Sequence, residues 1–338
     1  MGIKDALKFF EIPQGRHQTL ESVRGKTFAV DASSWLHKII ASTSLGSLTA
    51  RLFHQLPPGN MEEVVHSWLR YTMEYLDKYD INVVFVFDGA KNPVKREEDE
   101  RRASIIENNR ETFRSIIKDR DKALKDQIGK CMAKSMYVRT DLIGHMKTFA
   151  EKRGIKFVCA PFEADAQLVQ LEIDGIVDGI IAEDTDLILL GAKRLVCKLH
   201  PIHKKKEDIG KCKIIERDSC IGISEWTPES LLLAAMLLGN NYFPRTFGCR
   251  VSTVKDIVER VKYKLMKRAL SQNCLSCTLK KKENDGKELK IRGKELKKMF
   301  ELGVAQFKTP PVFHILAADE ENAVMTKKDL FLDNRLKV

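Results

Sequence analysis

Acidic residues that follow apolar runs in this sequence could bind metal ions together. Six are candidates, at Asp31, Asp88, Glu163, Asp165, Asp184 and Asp186. Carboxylates that converge repel one another unless cations neutralise them, and oxygen ligands without histidine or cysteine favour Mg²⁺ or Mn²⁺ over Zn²⁺. Two such ions about 4 Å apart can activate a water and stabilise the leaving oxygen in phosphodiester hydrolysis. The pattern therefore predicts a site for two Mg²⁺ ions, with Mn²⁺ able to substitute.

Each acid also has a structural explanation when it is taken singly. Glu163 and Asp165 follow Pro161 and suit the first turn of a helix, and Asp88-Gly89 is a common turn pair. The metal-binding hypothesis depends on the recurrence of acids at the ends of successive predicted strands. An acid follows one predicted strand after another, as Glu183 and Asp184 do in GIIAEDTDLILLG, residues 179–191.

Short β-branched and aromatic runs predict the strands that would position these acids. They cover 26–32, 82–89, 155–161, 177–184 and 194–199. Apolar periodicity predicts helices over 61–78, 140–153 and 163–173. Apolar strands that alternate with helices predict an α/β fold with a mostly parallel central sheet flanked by helices. All six acids then fall at the carboxyl ends of strands, where open α/β sheets bind their ligands.

Two further stretches depart from this alternation. Residues 91–139 carry dense charge of both signs and predict exposed helices. Residues 226–270 combine Pro228 at a helix start, an apolar helix over 230–238, a turn, and another helix over 252–265. The second stretch is typical of a helix-turn-helix element.

The net charge indicates the kind of binding partner, and the cysteines indicate the cellular compartment. The chain has 58 Lys and Arg against 47 Asp and Glu, a formal charge of +11, which favours a polyanionic partner. Basic runs at 203–207, 279–283 and 287–298 suit either DNA contact or solubilising loops. We favour DNA contact for part of the basic excess over 250–298, because it follows the helix-turn-helix pattern. For Lys204 to Lys206, a solvated loop or a nuclear import signal fits as well as DNA contact. Eight cysteines without a signal peptide or an 18-residue apolar run indicate reduced thiols in the cytosol or nucleus.

Several motifs, in order along the chain, resemble the flap endonuclease, exonuclease 1 and XPG group of structure-specific 5′ nucleases. The matching segments are MGI at the start, VDASSWLHK (30–38), VFVFDG (84–89), APFEADAQL (160–168) and AEDTDLILLG (182–191). The resemblance runs from residue 1 to roughly residue 265, and SWLHK and EADAQL look most like exonuclease 1. It implies a PIN-like 5′-nuclease fold with a helical arch and a helix-two-turn-helix DNA-binding element.

The resemblance also implies roles for individual residues. Asp31, Asp88, Glu163 and Asp165 match the acids around one metal ion, and Asp184 and Asp186 match those around the other. The residues that match positions contacting DNA or its phosphates are Gly2 near the active site, His37 near the duplex end, and Lys95 and Arg101 at the arch base. Arg102 is the alternative to Arg101, because the family's arginine can be aligned with either residue.

The family pattern divides the chain into five parts. These are two parts of the nuclease core at 1–90 and 140–225, the arch at 91–139, the helix-two-turn-helix with a basic helical region at 226–300, and a C-terminal segment packing back on the core at 301–338.

Two departures from the family pattern affect the expected activity. Asn241 stands where the family has a further acid, so we expect a weaker second ion and slower hydrolysis, whether the asparagine is natural or an isosteric replacement. Gly248 and Arg250 occupy the turn that meets a DNA phosphate, where only one of the family's two glycines remains. A K⁺ ion at this element is a further candidate cofactor.

We therefore expect a nuclear, monomeric enzyme that hydrolyses phosphodiesters at or near the 5′ ends, flaps or gaps of double-stranded DNA. The sequence identifies no sliding-clamp or repair partner. Three alternatives remain: a binding protein that has lost cleavage through Asn241, an RNA-directed nuclease on a PIN-like scaffold, and a phosphatase with Asp184 as covalent nucleophile. Ile188 disfavours the last, because it replaces the Thr or Val of that motif.

Overall fold

A computed structural model describes most of the chain between residues 18 and 312. The described residues are 18–42, 61–118, 138, 140–199, 211–220, 227–240, 243, 254–255, 257–258, 276–280, 288–308 and 312. The strands are β1 Thr27–Asp31, β2 Asn82–Phe87, β3 Phe157–Cys159, β4 Gly179–Ile181, β5 Arg194–Cys197, β6 Lys213–Glu216, β7 Ser276–Lys280 and β8 Glu288–Arg292. The helices are α1 Ala32–Ser42, α2 Met61–Asp77, α3 Arg96–Lys118, α4 Thr140–Arg153, α5 Ala164–Ile173, α6 Asp186–Leu190, α7 Pro228–Leu238 and α8 Gly293–Lys308.

Six strands form the central sheet in the order β3-β2-β1-β4-β5-β6. The first five are parallel, and β6 runs antiparallel to β5. The predicted α/β fold with a mostly parallel sheet is confirmed. Strands β2 and β3 extend the sheet on one side of β1, while β4 and β5 extend it on the other. The strand order therefore reverses between β1 and β4, and such a switch point forms a crevice at the carboxyl ends.

Alternate residues of each strand enter two separate cores because successive side chains point to opposite faces of a sheet. Phe28 and Val30 of β1 join one core with helices α1, α2 and α4. Ala29 joins the other core with helices α5 to α8. The sheet is thus covered on both faces, which explains why its strands read as almost continuous apolar runs in the sequence.

Most predicted elements appear with small shifts at their ends. Helix α4 has the predicted bounds, and α2 ends at Asp77. Helix α7 begins at Pro228, where the Oγ1 of Thr227 accepts the backbone N–H of Ser230 at 3.2 Å. Its residues from 231 to 238 are all buried, so this helix belongs to the core. Helix α3 confirms a helix in the charged segment 91–139, and all of 119–137 lies outside the described residues.

Within 226–300, the part predicted as a basic helical region contains two strands. Strands β7 and β8 form an antiparallel hairpin that pairs Cys277 with Ile291 and Leu279 with Leu289. In the sequence, apolar residues alternate with polar ones over both segments, which is the period of a strand, and the many lysines obscured this signal. Helix α8 follows directly. Of the predicted helix 252–265, the structure describes helical residues only at 254–255 and 257–258.

Among the described residues, no helix is both long and apolar enough to span a membrane.

Candidate active site

Three neighbouring strands deliver acids to the same edge of the sheet. Asp31 is the last residue of β1, Asp88 follows the last residue of β2, and Asp184 lies three residues beyond the end of β4. The register aligns Asp31 with Val86, so Asp88 lies two residues further along its strand. The sequence prediction that these acids share one edge is therefore confirmed, and the edge is the switch point.

The connection from β3 to α5 brings two more acids to this edge. Glu163 occupies the N-cap position of α5 in an extended conformation without a side-chain cap hydrogen bond, and Asp165 lies in the first turn. The loop packs closely on the residues after β2, where the Gly89 N–H donates to the carbonyl of Phe162 at 2.6 Å.

Gly89 permits this approach because it has no side chain. A Cβ at this position would lie 1.9 Å from the carbonyl oxygen of Ala160, a contact that backbone atoms cannot accept. The same approach lets Oδ1 of Asp88 accept the N–H of Ala164 at 2.9 Å. In the sequence, Asp88-Gly89 has the form of a common turn pair, which gives no sign of this packing role.

Burial and mutual repulsion raise the proton affinity of two acids. The pKa of Asp31 rises to about 7, chiefly through removal from water, with Asp88 and Asp184 adding repulsion. Hydrogen bonding from the backbone N–H of Ser34, at 3.1 Å to Oδ1, opposes this rise. The pKa of Asp165 lies well above its usual range for the same first reason, with further repulsion from Asp184, Asp31 and Glu163 that Lys95 partly offsets.

The second pair of acids follows β4. Asp184 accepts the backbone N–H of Asp186 at 3.0 Å through Oδ1, which fixes the turn into α6. Asp186 is the first residue of that helix and is 5% exposed. The charge of Asp184 acts on both Asp31 and Asp165, so the acids after β1, β3 and β4 belong to one electrostatic cluster.

Lys95 lies inside this cluster. Its ammonium group forms a short ion pair with Oε1 of Glu163, and the residue is only 8% exposed. The sequence prediction assigned Lys95 to the scissile phosphate at the base of the arch. In this conformation it neutralises an acid of the pocket.

His37 and Arg102 approach the cluster from α1 and α3. The pKa of His37 is lowered, chiefly because its surroundings remove part of the ring from water although its surface stays exposed. The charge of Asp88 opposes this lowering, and the charge of Arg102 contributes to it. Arg102 is half-buried and Arg101 is exposed. Because the charge of Arg102 acts on His37, Arg102, the alternative to Arg101 in the family alignment, lies near the pocket.

Several residues that no sequence motif singled out support the acids. The hydroxyl of Ser33 donates to Oδ2 of Asp88 at 2.6 Å, and Lys38 pairs with Glu183 at 2.5 Å. Of the three acids in the segment 183–186, Glu183 therefore contacts the protein rather than the cluster. The only sequence signal for Ser33 was its place in a first helical turn directly after Asp31.

Four predicted site residues lie outside the described residues. They are Gly2, Asn241, Gly248 and Arg250.

The charge and donor type of the cluster fit hard divalent cations. Its donors are carboxylate oxygens. Burial raises the pKa values of Asp31 and Asp165 first, and neighbouring negative charge, which a cation would relieve, raises them further. Among the described residues, no group of three or more His, Cys, Asp or Glu is already arranged to hold an ion. Repulsion between carboxylates, together with the pairing of Glu163 with Lys95, favours such an open arrangement. The predicted ligand set stays a prediction.

Two family descriptions match the chain. The XPG N-terminal domain matches residues 1–109, and the XPG I-region matches residues 154–241. Exodeoxyribonuclease 1 of Schizosaccharomyces pombe is 27% identical over 77% of this chain and 43% of its own length. Flap endonuclease 1 of Caldivirga maquilingensis is 28% identical over 72% of this chain and 70% of its own length. The chain thus spans less than half of the first relative.

The fold is shared with solved structures. One of them, the catalytic core of Rad2 in complex with DNA substrate, superposes with a TM-score of 0.58 at 21% identity and covers 93% of this chain and 88% of its own. All six candidate acids fall within the two matched regions, as do Lys95 and His37. On its matched domains, its fold and the position of its acids, this chain belongs to the XPG and flap endonuclease family.

Proposed function

We propose that this chain is a structure-specific DNA nuclease that hydrolyses phosphodiesters at or near 5′ ends with two divalent metal ions. The observation that carries the proposal is the convergence of acids from four chain segments on one pocket at the switch point. Burial raises the pKa of Asp31 to about 7 and neighbouring acids add to the rise. Repulsion among these acids destabilises the folded protein unless a cation binds. Family membership supports nuclease chemistry for such a site.

The acids would divide between two ions. Asp31, Asp88, Glu163 and Asp165 are the candidates to hold one Mg²⁺, and Asp184, Asp186 and Asn241 the other, with Mn²⁺ as a substitute. When bound, such ions supply an activated water and stabilise the departing oxygen. No side-chain nucleophile is required by this chemistry.

The protein itself positions the acids and the DNA. Ser33 and the Ala164 N–H hold the Asp88 carboxylate from two directions. Lys95, paired with Glu163 at the pocket, brings an ammonium group beside the acids and is the proposed contact for the scissile phosphate. Arg101 and Arg102 on α3 would add positive charge for the approaching DNA. His37 is the proposed residue that stacks near the duplex end.

Double-stranded DNA with a 5′ end, flap or gap is the proposed substrate, with Gly248 and Arg250 contacting a phosphate. Similarity to nucleases that include a DNA-bound catalytic core supports this choice. A nuclear, monomeric protein and a K⁺ ion at the helix-two-turn-helix complete the proposal.

Asn241 is proposed to weaken the second ion. An amide oxygen is a poorer ligand for Mg²⁺ than a carboxylate, so cleavage should be slower than with an aspartate at this position. The alternative function, a DNA-junction-binding protein without cleavage, rests on this same residue.

The experiment compares this chain with its Asn241→Asp variant on 5′-labelled recessed and flap duplexes, with Mg²⁺ and with EDTA. We expect Mg²⁺-dependent products from the 5′ end and faster cleavage by the variant. Binding without cleavage by either protein would select the alternative function. Products that persist in EDTA would contradict the metal requirement.

A further inference from the structure

Glu183 stands beside Asp184 but is held by a different set of contacts. Its carboxylate pairs with the ammonium of Lys38 at 2.5 Å. The backbone N–H of Lys198 donates to both of its oxygens, at 3.1 and 3.3 Å. Lys38 in turn donates to the carbonyl oxygen of Leu199 at 3.2 Å. These contacts join the residues after β4, helix α1 and the residues after β5 into one network.

The backbone at Lys198 is shaped for this network. Lys198 has a φ of 53°, in the left-handed region that residues with side chains seldom adopt. In this conformation its N–H meets the Glu183 carboxylate at the end of β5. A strained backbone that persists at the edge of a candidate site is typical of a position with a functional constraint.

The network constrains both sides of the pocket. Because Glu183 directly precedes Asp184, holding Glu183 fixes the backbone from which Asp184 projects. Helix α1 starts directly after Asp31, and it carries Lys38 next to His37. The β1–β4 ladder aligns Val30 with Ile181, and the Lys38–Glu183 ion pair adds a link between the two acid-bearing segments beyond the end of that ladder, across the switch point.

We propose that Lys38 and Glu183 are positioning residues for the metal pocket. They hold Asp184 at the spacing from Asp31 that bound cations require, and Glu183 itself contacts the protein. The inference rests on the proposed function, since it concerns the same pocket.

A role in stability alone does not account for this pair. The side chains of Lys38 and Glu183 remain 23% and 40% exposed, and ion pairs at such exposure contribute little to folding. Groups that orient metal ligands from outside the coordination shell typically change metal affinity by about 10-fold to 100-fold. The expected consequence therefore appears in metal binding more than in unfolding.

Calorimetric titration with Mn²⁺ in the absence of DNA tests the proposal. We expect Glu183→Ala and Lys38→Met each to weaken Mn²⁺ binding by about 10-fold. Glu183→Gln, which keeps a hydrogen-bond acceptor, and Lys38→Arg, which keeps the charge, should recover part of the affinity. Lys26→Met is the control, because it removes a partly exposed lysine that pairs with Asp178 at 3.9 Å at the opposite end of the sheet.

The outcomes separate this inference from the function on which it rests. Mn²⁺ affinities in Glu183→Ala and Lys38→Met equal to that of the unmodified chain overturn the inference alone. An unmodified chain that binds no Mn²⁺ overturns the proposed function as well. Thermal unfolding without metal is the second measurement. Equal large losses of stability in both variants, with affinity retained, would show a purely structural pair and also overturn the inference.

Discussion

Acidic side chains lie at both ends of the central sheet, and the protein surrounds them differently. At the amino ends, Asp178 accepts the Thr27 N–H at 2.9 Å, and Glu172 accepts the N–H groups of Lys193 and Arg194 at 2.6 and 2.9 Å. At the carboxyl ends, Asp31, Asp88 and Asp184 each accept a backbone N–H as well, but there acids also face other acids. Burial raises the pKa of Glu172, and each neighbouring contact opposes that rise. For Asp31, neighbouring acids add to the rise.

The difference separates acids that support the fold from acids that support a function. A carboxylate that accepts backbone N–H groups stabilises the charged form and the strands that supply the donors. Carboxylates that crowd one another destabilise the metal-free protein, so their presence indicates a ligand that compensates. Acidic residues thus hold neighbouring segments together at one end of the sheet and are candidate metal ligands at the other.

The largest predicted effect is on cleavage. Asp184→Asn removes one charge from the acid cluster, and we expect the cleavage rate to fall by roughly 100-fold or more. Asp178→Asn is the matched change at the amino end and should leave the rate unchanged. Single-turnover cleavage of a 5′-labelled flap duplex in Mg²⁺ measures both. An equal loss in the two variants would remove the distinction between the ends.

Gly89→Ala should lower the free energy of unfolding by about 1–3 kcal/mol, because its new Cβ would overlap the Ala160 carbonyl at 1.9 Å. It should also displace Asp88 and slow cleavage. Gly144→Ala in α4 is the control, since nothing lies within 4 Å of a Cβ there. That change should stabilise the helix by about 0.5–1 kcal/mol. Urea unfolding of the two variants gives the comparison, and a neutral Gly89→Ala would contradict the close approach.

Neutralising one acid at each end should change stability in opposite directions. Glu172→Gln leaves one of two partly buried N–H groups without a good acceptor and should cost about 1 kcal/mol. Asp165→Asn relieves repulsion from Asp184 and Asp31 and should stabilise the metal-free protein. Urea unfolding in EDTA measures both changes. Destabilisation by Asp165→Asn would show that this carboxylate also supports the fold.

A smaller effect is expected in the pH dependence of stability, because water partly screens the half-buried Asp31. Its pKa rises from 3.8 to about 7 on folding, so the folded state keeps a proton that the unfolded state releases between these values. This contribution to stability is therefore present below about pH 4 and is lost as the pH rises through about 7. Unfolding in EDTA across this range should show the decline, Asp31→Asn should reduce it, and Mg²⁺ should counteract it. An identical slope in Asp31→Asn would assign the decline to other groups.

Much of the fold was predictable because its signals are local in sequence. Apolar runs predicted β1 to β5, and periodicity predicted the bounds of α4 to the residue. The hairpin β7-β8 was missed because abundant lysines masked a period of two residues. Strand β6 was also missed, since its pairing with β5 is antiparallel and departs from the strand-helix alternation.

The sequence by itself determined which residues could form the site. Acids that follow apolar strands must lie at one edge of a parallel sheet, because parallel strands all end on the same side. Only the tertiary structure decided the partners: Lys95 pairs with Glu163, Glu183 turns to Lys38, and Gly89 admits the loop that reaches Asp88. These contacts join residues far apart in the chain. Local patterns fix the end of a strand, whereas side-chain partners depend on which segments packing brings together.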